Sequence, residues 1–526
     1  MLKVMVPRLS EVIQLRELFH SVLIFHSKKL IMKKIKRIVL FAVALGFVFS
    51  CEDATDIVQP GEFNENVAFQ SVEDMNLVLT EVYDRVSIEN EIAFTSLYTD
   101  EVAIGPENGG QNIDDLGFNL FPTSGYSFSM WYGHYNMINL ANRLIDGSSL
   151  VEVVPGSADE AEKNDILAQA RVLRAFGHFQ LLTYFSTDMK NDNALGVMLL
   201  TEVPDVNDYQ PRVTNGEVFA AINQDLDFAE AGNLGTPTSY KFVSEGMIKA
   251  FRARMAAYRG RYAEAGTYAG EAIALAPGLA SGVPAATSAY RQMWQDLVQG
   301  EIIWALDRPA GKGAVAGNWF FNSTDLTGGP FLDMGRNLYA ALTEFPSDVR
   351  DNIFVDATST FSPDPATDPA YRETDVIIIN KYWGKPGAPL TNDLKVFRTS
   401  EMYFILAESQ VAAGDLTAAA ATLQTVRNAR RTFETQPTYS TATVAYEDIL
   451  SERRKELCFE GHRWIDLKRL GAAAGIANAP LDRYFRDCEF NGACQLPLSD
   501  HRWTMPIPVE ELNANPLIRG QQNPGY

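Results

Sequence analysis

Apolar residues recur at Ile166, Ala170, Leu173, Gly177, Leu181 and Tyr184, at spacings of 4, 3, 4, 4 and 3. That period makes one stripe of an α-helix, and its small members let a second helix approach closely. After Pro211, Thr214-Asn215-Gly216-Glu217 reads as a capping box, in which the threonine hydroxyl and the glutamate carboxylate satisfy backbone donors at a helix start. A helix is predicted from Asn215 to about Ala231. From about Val67 onward helical stretches alternate with irregular ones, and no Pro-rich or Gly/Ser-rich linker intervenes, so residues 67–526 read as a single domain. The irregular stretches are long: Asp100 to Met130, Gly278 to Ser288 and Ala310 to Leu332. Loops of that length in a rigid scaffold usually carry function or are disordered. Trp131, just past the first of them, is expected to start a helix and pack.

Two segments read as helix pairs. Tyr262, Ala265, Ala272 and Pro277 keep the offsets of a tetratricopeptide unit's second helix and terminal proline, with Gly260-Arg261 at the turn; Ala269 stands where an aromatic is common. Glu401–Ala412 and Leu416–Arg430 form a second pair, broken at Gly414-Asp415. A single pair cannot bury its apolar face alone, so several must stack. The predicted fold is mainly α, a tetratricopeptide-like superhelix with long inserted loops and few short strands.

The long apolar run near the start, Ile38–Phe49, is too short to span a bilayer comfortably. Lys33, Lys34, Lys36 and Arg37 precede it and Ser50-Cys51 follows, the layout of a secretory signal starting at Met32, with residues 1–31 an overcalled start. Val48-Phe49-Ser50-Cys51 resembles a bacterial lipobox, with Phe49 where a small residue is usual, and the resemblance implies lipidation of Cys51. Residues 1–50 are then an overcalled N-terminus plus lipoprotein signal, and 51–66 an acidic tether opening Glu52-Asp53-Ala54-Thr55-Asp56. The full chain carries −21 formal charges; without residues 1–50, 36 Lys/Arg face 64 Asp/Glu, a balance of −28. Such a chain repels a phosphate backbone, which excludes nucleic acid as a partner class.

Chemistry-bearing patterns are sparse. Cys488 and Cys494 flank the Asn491-Gly492 turn and can close a small disulfide ring in an oxidising compartment. His134, His178, His462 and His501 are scattered, so no metal-ligand spacing is visible and no cofactor is expected. The sequence has no Gly-x-Ser-x-Gly elbow, P-loop or His-Glu-x-x-His. Taken together with the family resemblance that follows, these absences read as a protein that is not an enzyme.

Near the C-terminus, Glu452-Arg453-Arg454-Lys455-Glu456-Leu457-Cys458-Phe459-Glu460-Gly461-His462-Arg463-Trp464-Ile465-Asp466-Leu467-Lys468-Arg469 is followed by Pro506-Ile507-Pro508 and the terminal Gln522-Asn523-Pro524-Gly525-Tyr526. Together with Arg398-Thr399-Ser400-Glu401-Met402-Tyr403, Trp131-Tyr132 and Lys381-Tyr382-Trp383-Gly384, this closely resembles the SusD/RagB family of outer-membrane nutrient-binding lipoproteins. The charged stretch is expected to be structural, Arg453, Arg454, Glu456, Glu460, Arg463 and Asp466 pairing at helical spacings. The acidic run after Cys51 also resembles the export signal that sends Bacteroidetes lipoproteins to the cell surface.

The resemblance implies a cell-surface lipoprotein, anchored in the outer membrane and facing the exterior. It also implies a lid over a SusC-like TonB-dependent transporter that captures glycan or, in the RagB-like alternative, peptide. Sugar capture needs aromatic faces for pyranose rings and polar groups for hydroxyls. Two regions offer them: the loop Trp319, Phe320, Phe321, Asn322, and the stretch holding Tyr98, Asp100, Gln111, Asn112, Phe118 and Tyr126.

Overall fold

Ser71 opens the first described helix, α1 (Val72–Arg85), by accepting from the Asp74 N–H, and two acidic residues in that first turn complement the helix dipole. The structure is a computed structural model, and it describes residues 68–205, 208–312, 329–432 and 435–526. After α1 come α2 (Glu89–Tyr98), β1 (Val102–Ile104), a single turn α3 (Ile113–Leu116), α4 (Gly125–Gly147) and α5 (Ala158–Phe185). All six residues of the stripe read from sequence are buried in α5. Its Gly177 lets α4 approach closely: a Cβ there would lie 2.4 Å from Met137 Cε. Trp131 does pack, donating its indole N–H to Glu511 at 3.1 Å, but α4 starts six residues earlier than expected, at Gly125. The irregular stretch after Asp100 is correspondingly shorter and holds a helical turn of its own.

β2 (Leu195–Met198) and β3 (Arg212–Thr214) lead into α6 (Asn215–Phe228), whose Thr214–Glu217 capping box is formed in both directions. Then α7 (Glu245–Tyr258) and α8 (Tyr262–Leu275) form the first helix pair, with Gly260 at φ +70° in the turn between them. Ala265, Ala269 and Ala272 are wholly buried in α8. Next follow α9 (Ala289–Trp294), β4 (Ile302–Leu306), β5 (Leu332–Met334), α10 (Arg336–Leu342), α11 (Asp351–Phe354), α12 (Tyr371–Thr374), β6 (Gly384–Lys385), β7 (Ala388–Pro389) and β8 (Leu394–Arg398). α13 (Thr399–Ala412) and α14 (Leu416–Arg430) are the second helix pair, turned at Gly414. The chain ends through α15 (Ala442–Leu457), α16 (Arg463–Leu470), α17 (Phe485–Cys488) and α18 (Val509–Ala514). The described strands pair only as two-stranded antiparallel ladders, β1 with β5, β2 with β3, β4 with β8 and β6 with β7. Helix pairs stacked on one another carry the core, in the tetratricopeptide manner.

The seam between the two helix pairs is tight at Gly266, where a Cβ would sit 2.2 Å from Ser409 Oγ and 2.7 Å from its Cβ. Gly266→Val is expected to cost about 1–3 kcal/mol by overpacking, while Gly270→Ala, one turn on with open space around it, gains up to about 1 kcal/mol in helix propensity. Thermal melts of the two variants read these opposite shifts.

The charged C-terminal stretch is buried, and its partners are mostly distant rather than at helical spacings. Glu456 accepts from Arg398 Nη1 at 2.8 Å, from Arg430 Nε and Nη2 at 2.9 Å each, and from the Tyr290 hydroxyl at 2.9 Å. Glu460 holds Lys381 Nζ at 2.7 Å and Arg398 Nη2 at 2.7 Å. Glu301 joins Arg398 at 2.6 Å and Arg430 at 2.7 Å. Arg453 pairs with Asp466 at 2.7 Å, and Arg463 grips Asp100 through two bonds of 2.8 and 2.7 Å. These charges therefore bind α15 and α16 to β8, to the end of α14 and to the loop after α2. The terminal segment is stitched in the same way, Asn523 Nδ2 donating to Phe185 O at 2.9 Å and to Met505 O at 2.7 Å.

Candidate ligand-binding site

Three of the residues picked from sequence turn inward. Tyr98 is wholly buried, stacks on Phe94 at 4.4 Å between centroids and donates its hydroxyl to Asn119 O at 2.7 Å. Asp100 is committed to Arg463 and Arg454, whose charges hold its carboxyl well below the usual range against the cost of burial. Phe118 is buried under the Arg483 guanidinium, 4.3 Å from its ring centre. Arg483 has no carboxylate partner at bonding distance among the described residues; it donates instead to the carbonyls of Leu97, Thr99, Leu116 and Ala493, and burial lowers it to about 10. These three residues fasten the loop to the core and, contrary to the expectation from sequence, present no surface to a ligand. Tyr126 is half-buried, edge-on to Phe94 at 6.1 Å. Gln111 is exposed, and half-buried Asn112 donates to Asp115 Oδ2 at 3.2 Å. Trp319, Phe320, Phe321 and Asn322 lie outside the described residues, as do Cys51 and the rest of residues 1–67.

The turn that carries Gln111 and Asn112 is pinned to the residues that follow the Trp319 loop. Gly105 N–H donates to Phe331 O at 2.9 Å, Glu107 N–H to Pro330 O at 3.2 Å and Asn108 Nδ2 to Phe331 O at 3.0 Å. The two candidate regions thus share the β1–β5 ladder as a common base, with Val102 opposite Met334 and Ile104 opposite Leu332.

Beside this ladder the fold assembles aromatics that the sequence keeps far apart. Tyr339 and Phe361 stack at 4.8 Å with 19° between their planes, and Phe361 is 44% exposed. The Arg336 guanidinium lies 5.9 Å from the Tyr339 ring and is ion-paired to Asp375. Its backbone N–H donates to Asp487 Oδ2, and the Tyr371 hydroxyl reaches Asp487 Oδ1 at 2.7 Å. Tyr371 contacts Tyr484, which contacts Phe485, itself 48% exposed. Arg372 sits 4.9 Å over Phe490, inside the ring that the Cys488–Cys494 disulfide closes. The result is two ring pairs with exposed members, Tyr339–Phe361 and Tyr484–Phe485, joined through Arg336 and the buried Asp487 and Tyr371. Flat apolar faces next to planar donors suit a hydroxylated ring better than an extended apolar chain. Tyr484-Phe485-Arg486, next to Cys488, was open to reading as such a cluster; Tyr339 and Phe361 gave no local signal.

Beside these rings lie three buried carboxylates, Asp333, Asp375 and Asp487, with Arg336, Arg372, Arg483 and Arg486 nearby. Burial, reinforced by the charges of Asp487 and Asp375, pushes Asp333 well above the carboxylate range. Burial pushes Asp487 up to about 6 in spite of the hydrogen bonds from Tyr371 and Arg336. A raised carboxylate binds its proton more tightly folded than unfolded, so its contribution to stability is full below the unfolded value of 3.8 and lost as pH rises through about 6. Asp487→Asn is expected to remove about 1 kcal/mol of the wild-type stability difference between pH 5 and pH 7. Urea midpoints of both proteins at the two pH values check this slope.

A small void lined by Asp333, Tyr371, Asp375 and Asp487 adjoins the ladder, and the larger cavities lie elsewhere. One of about 860 Å³ opens between the end of α6 and the start of α7, walled by Thr236, Tyr240, Lys249 and Leu275, and none of the residues picked from sequence lines it. Glu456 and Glu460 are no acid–base pair in a cleft, since both are sealed among arginines and lysine and Glu456 is held well below the carboxylate range. No group of three or more His, Cys, Asp or Glu side chains able to hold a metal ion occurs among the described residues.

The fold is a scaffold of stacked helix pairs that carries partly exposed aromatics and arginines beside the β1–β5 ladder. Two family models match the chain: one described as the SusD family, over residues 384–526, and one described as "Starch-binding associating with outer membrane", over residues 53–256. The chain belongs to the SusD-like family. Among curated relatives, SusD-like protein P38 of Formosa agariphila is 25% identical over 85% of this chain and 93% of its own length. SusD-like protein P2 of the same organism is 23% identical over 94% of this chain and all of its own. Among solved structures, a SusD superfamily protein from Bacteroides thetaiotaomicron superposes with a TM-score of 0.72 at 24% identity, covering 86% of this chain and 100% of that one. A laminarin-binding SusD-like protein gives 0.65 at 22%, covering 87% of this chain and 100% of that one.

Proposed function

We propose that this protein captures glycan at the bacterial cell surface, held in the outer membrane by lipid on Cys51, and passes oligosaccharide to a SusC-like TonB-dependent transporter. The observation that carries the reading is the pair of partly exposed ring stacks, Tyr339–Phe361 and Tyr484–Phe485, linked through Arg336, Asp487 and Tyr371 beside the β1–β5 ladder. Recognition there requires ring stacking and hydrogen bonding but no bond making. The description of the family model matching residues 53–256 and the laminarin-binding neighbour support a carbohydrate as the ligand class.

Native gels cast with single polysaccharides test the ligand class directly on the soluble form, residues 52–526. Retardation by at least one glycan and by no peptide conjugate is the expected result. Retardation by peptide conjugates alone would overturn the glycan reading in favour of peptide capture.

A further inference from the structure

The C-terminal ends of α5 and α7 meet α16 and the last segment of the chain around a cavity of about 430 Å³, within the roughly 300–1,000 Å³ found for small-molecule sites. Thr183 of α5, Tyr258 of α7, Ile465 and Lys468 of α16, and Leu498 and Trp503 of the last segment contribute to its wall. None of the residues picked from sequence lines it, and neither does any member of the two ring pairs.

Lys468 brings to this cavity a charge that the wall does not match. Its ammonium donates to Ser186 O at 3.2 Å and to the Thr504 hydroxyl at 3.1 Å, both neutral acceptors, which leaves one of its three N–H donors over. No carboxylate stands at ion-pairing distance from it among the described residues, and burial lowers it to about 8, with the charge of Asp188 acting the other way. The other charges around the cavity are balanced. Arg469 is held by Glu408 and Asp466, Asp500 is held by Arg502 at 2.7 Å, and Asp188 and Lys190 bring one charge of each sign to the rim.

Tyr258 supplies a second donor. It is 7% exposed, lines the cavity, and its hydroxyl makes no hydrogen bond among the described residues while keeping some accessible surface. Phe179 and the Arg469 guanidinium, 5.6 and 5.4 Å from the centre of its ring, hold that ring in place. The Trp503 indole N–H is taken by Leu496 O and Pro497 O, at 3.3 and 2.9 Å, so Trp503 offers the cavity ring carbons alone. A cationic and a neutral donor beside an apolar wall suit a carboxylate carried on a ring whose C–H face can pack on an indole.

We infer that this cavity binds an acidic sugar, its carboxylate oxygens accepting from Lys468 Nζ and the Tyr258 hydroxyl and its ring packed on Trp503. The choice of a sugar to carry the carboxylate rests on the glycan reading above; the carboxylate itself does not.

Isothermal titration of residues 52–526 with D-glucuronate, D-glucose and inorganic phosphate tests the assignment. Glucuronate is expected to bind saturably, and glucose at least about tenfold more weakly, since it lacks the charge that Lys468 meets. Tyr258→Phe removes one oxygen and keeps the packed ring; it should weaken glucuronate by about tenfold, and Lys468→Met by more. Because Lys468 also holds the carbonyl at the end of α5, Tyr258→Phe keeps the test decisive should Lys468→Met fail to fold. Phe361→Ala should leave glucuronate binding unchanged, so that a failure at the ring pairs and a failure here are read separately. No saturable heat with glucuronate, equal affinity for glucose, binding of phosphate alone, or an affinity that survives Tyr258→Phe would overturn the assignment.

Discussion

Glu456→Ala is expected to destabilise the protein by about 3–5 kcal/mol, because it leaves Arg398 and Arg430 buried with their shared carboxylate gone. Removing one partner of a buried ionic cluster costs far more than the cluster's net contribution, since the desolvated charges left behind gain nothing in exchange. The cluster is large: Arg350 also reaches Glu456, at 3.3 Å, and Glu452 at 2.6 Å, and Arg430 lies 3.8 Å over the Tyr290 ring. Glu456→Gln keeps the shape and loses the charge, so it should fall between wild type and alanine. The surrounding guanidinium groups hold Glu456 well below its unfolded value of 4.5, so its contribution is present above that pH and fades as pH falls through the lower folded value. Between pH 6 and 8 the cost should therefore be constant. Urea unfolding followed by circular dichroism measures it, and a loss below about 1 kcal/mol would contradict a structural role for the motif.

The second large effect is on binding. Phe361→Ala is expected to weaken glycan binding by about 10- to 30-fold, or ~1.4–2 kcal/mol, because a stacked, half-exposed ring that a sugar packs on behaves as a hot spot. Its exposure makes the stability cost small, so the melting temperature should barely move. Trp319→Ala, in the segment that leads into β5, is expected to weaken binding at least as much. Equal affinities for wild type and Phe361→Ala would remove the aromatic face from the account.

The helices were legible wherever a local rule set them. The Thr214 capping box, the stripe of α5 and the alanine offsets of α8 each depend on residues within a few turns, and each element lies where those residues place it. α4 begins earlier than expected because Ser124 and Gly125 start it, while the reading anchored on Trp131. The site was harder to read. Tyr98, Asp100 and Phe118 have the chemistry of sugar contacts, and only three-dimensional placement shows that Arg463 and Arg483 claim Asp100 and Phe118 for the core. The Tyr339–Phe361 stack joins a residue of the short helix α10 to one of a distant loop, through a ladder and two bridges with no sequence signature. The charged motif near the C-terminus was legible as structural, but its partners were not: Glu456 reaches Arg398 and Arg430, far beyond any helical spacing.

The central claim is that the aromatic face captures glycan, and isothermal titration of residues 52–526 with the retained polysaccharide's oligosaccharides, for wild type and the Tyr339→Ala/Phe361→Ala double variant, tests it most directly. Saturable heat for wild type and none for a still-folded double variant is the expected result; equal heats for both, or heat with peptides alone, would contradict it.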